Sequence, residues 1–277
     1  MLGKLLTYIG EVFGDIPNYK KFDGLDERKN EDSSIFETVE TESTSVQPTG
    51  VAISNAEPKE NGINGKLDEP IYQGEYGDCW LLSGILSMSY TESGSEVIQE
   101  SINANTDGSV DVSFQGIDKE YTVSAKEMKK HNKDISEESN YSKGDDDALA
   151  IELAVEQVVA DENVKTSYDI KTGGNPYYAY KLFGAERIGV ADTKDEITNA
   201  FNYFEHNSDE CSMTLGVTDK AVCGLKKNHG YTVKDVTTSS VVIVDPWNSE
   251  KEINVNKEKL LKQSDSLSVV YAEFATE

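Results

Sequence analysis

The sequence predicts an α+β protein with a helical first part, an antiparallel β-rich second part and a flexible extension in front of both. Three observations point that way. Apolar residues before about Gly173 recur at helical spacing, and after it short strand-like runs dominate. The first 66 residues, by contrast, bring together few apolar faces and are rich in Glu, Ser and Thr.

A chain of 277 residues, 37% hydrophobic with 14 tyrosines, is long and apolar enough to bury a sizeable core, as one large domain or two lobes. Its net charge of −25 would be repelled by a nucleic-acid backbone or an anionic membrane surface, so neither is expected as a partner. Three cysteines are too few for a disulfide framework. No apolar run approaches the ~18 residues of a membrane span.

Residues 1–66 are expected to form an N-terminal extension and candidate pro-segment. It opens on "MLGKLLTYIGEVFG", where Leu2, Leu5, Leu6, Ile9, Val12 and Phe13 follow helical spacing. Such a helix is too short to be stable alone, so it is expected to dock, by preference on the body of the chain. The stretch has neither the long apolar core nor the cleavage site of a secretory signal. Location is left open between the cytoplasm and export by another route. The acidic linker that follows buries too little to offset its ordering entropy.

Residues 67–172 form the expected helical lobe. "DCWLLSGILSMSY" reads as a helix with Asp78 at its N-cap and Cys79 in its first turn. Around Asp107-Gly108 the pattern alternates, predicting a β-hairpin, and "DDDALAIELAVEQVVADE" predicts a helix with acids at its positive end. Residues 173–277 form the β-rich lobe. After the Gly-Gly break and short helix of "TGGNPYYAYKLFG" come the strands "CSMTLGV", "HGYTVKDV" and "SSVVIVDPW". Two lobes imply a cleft between them.

Cys79 stands beside Trp80 at a helix start, where the dipole and free N–H groups favour an anion and lower a thiol pKa. Gly74 and Gly77 leave room for another segment to approach the backbone. A thiolate catalyst needs a base. His131 and His206 lie in polar stretches and read as solvated, whereas His229 opens a strand. The next strand ends in Asp245, so adjacent antiparallel strands would bring His229 and Asp245 together, with Trp247 covering the contact. Cys211 and Cys223 lie in apolar stretches and are expected as free core thiols.

"QGEYGDCWLL", "NHGYTV" and "DPWN" resemble, in that order, the three active-site boxes of the calpain family of papain-like cysteine proteases. The likeness spans about residues 67–275. It implies a papain-like, two-lobed cysteine protease core: Cys79 as nucleophile, His229 as general base and then acid, Asp245 as orienter, and Gln73 donating its amide to the oxyanion beside the backbone N–H of Cys79. The family usually has Asn where Asp245 stands; a carboxylate still accepts from the imidazole and also stabilises its charged form. Glu152 matches the position of a calcium ligand by the same resemblance. The rest of that site is not recognisable, and "NSEKEINVNKEKLL" is no acidic calcium loop. No cofactor is therefore expected to be required, and only weak dependence on calcium is expected. The implied substrates are proteins or peptides, preferably flexible segments, including the chain's own N-terminal linker. Two alternatives differ in class. A transglutaminase-like acyltransferase would also use Cys, His and Asp, and a catalytically dead binding module would keep only the cleft.

Overall fold

The computed structural model describes residues 62–275; the expected N-terminal helix and nearly all of the acidic linker lie outside them. The described chain starts where two carboxylates hold it: Asp147 accepts from the N–H groups of Asn64 and Gly65, at 3.1 and 3.0 Å, and Asp145 accepts from Glu69 N–H at 3.2 Å.

Helix α1, Cys79–Met88, has every residue buried. It is a central helix with neighbours all round. Trp80 packs on Tyr168 and Tyr178, with ring centroids 5.0 and 6.5 Å away. Gly174 lies against the same indole, and a Cβ there would stand 2.7 Å from it, so only glycine fits. Helix α2, Glu92–Ser101, starts at Thr91, whose side chain accepts from Gly94 N–H. Strands β1 (Ile102–Ala104), β2 (Val110–Phe114) and β3 (Lys119–Val123) form an antiparallel sheet. The β1–β2 turn is the one expected: Gly108 has φ +84°, and Asp107 accepts from the N–H and O–H of Ser109. Helix α3, Ala125–His131, has a Ser124–Glu127 capping box, and α4, Asp146–Ala160, is capped by Asp145 on Ala148 N–H. Helix α5, Pro176–Leu182, carries Pro at its first position behind an Asn175 cap. It meets α1 closely, since a Cβ on Gly84 would lie 2.6 Å from that of Ala179.

The second sheet contains β4 (Arg187–Ala191), β5 (Cys211–Val217), β6 (His229–Val236), β7 (Ser240–Asp245), β8 (Asn248–Asn256) and β9 (Leu267–Glu273). Among the described residues its order is β4-β9-β5-β6-β7-β8, antiparallel throughout. The last strand thus inserts between two earlier ones. Helix α6, Lys194–Asn207, packs its apolar face on this sheet, and α7, Lys257–Leu261, follows β8. One hydrophobic cluster surrounds α1, α4 and α5, and a second lies between α6 and the sheet; Val244, Val270 and Ala272 carry the sheet into the first. The arrangement is mixed α/β with antiparallel sheets, as the α+β reading expects. No helix among the described residues is long and apolar enough to cross a membrane.

Two side chains away from the site depart from expectation. Cys211 is buried, but Cys223 is exposed: Val222 and Leu225 bond each other's backbone and face inward, and the turn between them, with φ +50° at Cys223, puts the thiol outside. His131 is half-buried, its ring centroid 4.3 Å from that of Tyr141, while His206 is exposed.

Candidate active site

The start of α1 and the start of β6 are brought together by close packing. Thr232 donates its hydroxyl to Ser83 O at 2.8 Å. A Cβ on Gly230 would stand 3.1 Å from Ser83 Oγ and 3.3 Å from Cys79 O, so glycine lets the strand lie against the helix. The residue before it, His229, consequently lies beside Cys79, near enough for the thiol to raise the imidazole's pKa. Cys79 is 8% exposed.

His229 Nε2 is 2.8 Å from Asp245 Oδ1. The contact follows from the β6–β7 pairing, in which Thr232 opposes Val244 and the end of β7 runs beside the start of β6. Trp247 N–H donates to the same Oδ1 at 2.9 Å, holding the carboxylate in place. The imidazole lies between two rings: Tyr231, edge-on at 4.7 Å, and Trp247, tilted at 5.0 Å. Burial pulls the His229 pKa down, but its interactions with Asp245 and Cys79 outweigh it and the group is pushed up to about 9. For Asp245, burial works upward, yet the bonds from His229 and Trp247 hold its carboxyl below the ordinary value.

Gln73 is joined to the Asp245 turn through its backbone: its N–H donates to Pro246 O at 2.9 Å. Ser249 N–H donates to Ile71 O at 3.0 Å, and Ile71 N–H to Ser249 Oγ at 2.7 Å. The Gln73 amide, however, donates to Tyr76 O at 2.8 Å and Asp78 Oδ1 at 2.9 Å. Asp78 sits at the N-cap of α1 as expected, but its side chain makes no capping bond. It is drawn inward instead, to Gln73 and to Glu152 on α4. Gly74 and Gly77 allow the close approaches expected of them: a Cβ on Gly74 would stand 2.3 Å from Asn140 O, and one on Gly77 3.2 Å from the 171–173 backbone.

Glu152 is fully buried, and its Oε2 accepts from the N–H (2.8 Å) and the hydroxyl of Ser142. Burial pushes both Asp78 and Glu152 upward, and the neighbouring Glu152 raises Asp78 further. Gln73 Oε1, Asp78 Oδ2 and Glu152 Oε1 have no hydrogen-bond partner in this cluster. A calcium ion needs six to eight oxygen ligands with room around them. The enclosed Glu152 does not fit that demand, and among the described residues no group of three or more His, Cys, Asp or Glu is placed to hold a metal.

Two residues of the site were not read from the sequence: Tyr231, which packs on His229, and Lys226, whose Nζ lies 3.4 Å from the Trp247 ring centroid. The lysine pair just before His229 and the tyrosine two residues after it were the available signals.

The family model for calpain family cysteine proteases matches residues 29–262. The match begins in the acidic stretch, upstream of residue 67, where the likeness read from the motifs starts. No curated protein matches the chain.

Proposed function

Since the chain belongs to the calpain family of cysteine proteases, we propose that it is an endopeptidase working through an acyl-enzyme on Cys79. The observation that carries this reading is the linked set of Cys79, His229 and Asp245, with Nε2 of His229 held 2.8 Å from Asp245 Oδ1. That bond leaves the other ring nitrogen for the thiol.

The steps follow from the groups in hand. His229 takes the Cys79 proton, and the sulfur attacks the peptide carbonyl. The resulting oxyanion is held by the Cys79 backbone N–H and the Gln73 amide; one such donor is commonly worth ~10²–10³ in rate. To serve there, Gln73 must redirect one of the two amide protons now given to Tyr76 O and Asp78 Oδ1. The C–N bond breaks as His229 returns its proton to the leaving amine. His229 then takes a proton from water as it attacks the thioester; the C–S bond breaks, that proton returns to sulfur, and the carboxylic acid formed gives its own proton to solvent. Asp245 holds the ring and stabilises its charged form throughout.

Family membership favours hydrolysis over acyl transfer to an amine, and the reactivity of Cys79 separates an enzyme from an inert module. Incubation with a thiol-directed epoxide, followed by peptide mapping, should label Cys79 ahead of the exposed Cys223. Labelling of Cys223 alone would favour the inert module.

A further inference from the structure

An exposed lysine, Lys226, stands over the ring that packs beside His229. Resting on the protease reading above, we infer that Lys226 selects an acidic residue, Asp or Glu, in the first or second position after the cut bond.

Lys226 is exposed, yet its backbone is fixed. Its N–H donates to Tyr231 Oη at 2.7 Å, and Tyr231 packs against His229. The turn before it is closed by the Val222–Leu225 bonds, and Asn228 N–H donates to Thr218 O at 3.0 Å. Its ammonium stands 3.4 Å over Trp247, whose ring is 46% exposed and tilted at 5.0 Å from that of His229. Lys119, Lys171, Lys234, Lys257 and Lys262 each reach a carboxylate. Lys226, like Lys220, Lys227 and Lys251, is in no ion pair among the described residues; what sets it apart is its seat over Trp247. Asp245 feels its charge, but Oδ1 of that carboxylate is committed to His229 and Trp247.

His229 protonates the leaving amine, so the residues after the cut must pass its ring. Trp247 is the exposed surface beside that ring, and a side chain lying on it meets the Lys226 ammonium. A carboxylate there gains a charge-assisted contact that an amide of the same shape does not. The net charge of −25 works against acidic substrates generally, so the preference is local and belongs to this side chain.

The test maps cleavage sites by mass spectrometry in an equimolar mixture of unstructured synthetic peptides. The wild-type protein should cut with Asp and Glu about two- to fivefold enriched over Asn and Gln in those two positions, the size of a part-exposed charge pair. The enrichment should persist in Lys226→Arg, vanish in Lys226→Met and turn toward Lys and Arg in Lys226→Glu. Because each ratio is internal to one enzyme, reduced total activity cannot imitate the result. Cutting without acidic enrichment, or enrichment unchanged in Lys226→Met, overturns the assignment to Lys226 and leaves the protease reading standing. No cutting by wild-type protein overturns the protease reading, and this inference with it.

Discussion

His229 and Asp245 are hydrogen-bonded side chain to side chain at 2.8 Å, although 16 residues separate them. They are the first residue of β6 and the last of β7, so the hairpin itself makes the pair. Substitution at Asp245 should show which part of that bond matters. Asp245→Asn keeps an acceptor oxygen and loses the charge; Asp245→Ala loses both. We expect the alanine variant to fall at least about tenfold below the asparagine variant in kcat/KM. Equal loss in the two would mean that the charge alone is what counts.

The pH dependence follows from the same pair. The imidazole is raised from 6.5 to about 9. A group raised on folding adds stability that is fully present below its unfolded pKa and is lost as pH climbs through the folded one. Denaturant midpoints should therefore fall between about pH 6.5 and 9, by ~1–3 kcal/mol of stability, and Asp245→Asn should flatten the fall. Activity should lose its alkaline limb near pH 9, at lower pH in Asp245→Asn. A midpoint that does not move across this range would contradict the bonded geometry. Asp245 acts in the opposite sense: its contribution is present above its ordinary pKa of 3.8 and is lost as pH falls through its depressed value.

Much of this site was legible because its parts are local. The apolar run after Asp78 made α1, the Gly-Gly break preceded α5, and short alternating runs became β5, β6 and β7. His229 and Asp245 could be paired in advance because a hairpin joins neighbours in sequence. What was not legible depends on distant segments. Insertion of β9 between β4 and β5 leaves no local signal. The Asp78 side chain turns from its expected cap toward Gln73 because α4 brings Glu152 beside it. Cys223 looked like a core thiol by its neighbours, but a turn with positive φ reverses which side chains face inward.

Calcium should change the rate less than about twofold between chelator and excess ion. The Gln73 and Asp245 segments are joined by Gln73 N–H to Pro246 O and Ser249 N–H to Ile71 O, and we expect these bonds to hold the two together without an ion. A rate that vanishes in chelator and returns at micromolar calcium would refute this.

The N-terminal segment should be removed by the protein itself. A protease that accepts flexible chain meets its own acidic tether at high effective concentration. Sequence alone places the new N-terminus between about Asn30 and Gly65; the bonds from Asn64 and Gly65 to Asp147 narrow this to residues before Gly62. Intact mass after long incubation at high concentration should show the truncation in wild-type protein and not in Cys79→Ala. Full-length mass in both would end the idea.

Hydrolysis of casein by wild-type protein and by Cys79→Ala, compared at equal concentration with matched circular dichroism spectra, tests the central claim most directly. A thiol-to-methyl change at this nearly buried position should leave the fold intact. The account predicts that wild-type protein degrades casein and that the variant does so at least about 10³-fold more slowly, the scale expected when an attacking group is removed. Full activity in a folded Cys79→Ala protein would contradict it.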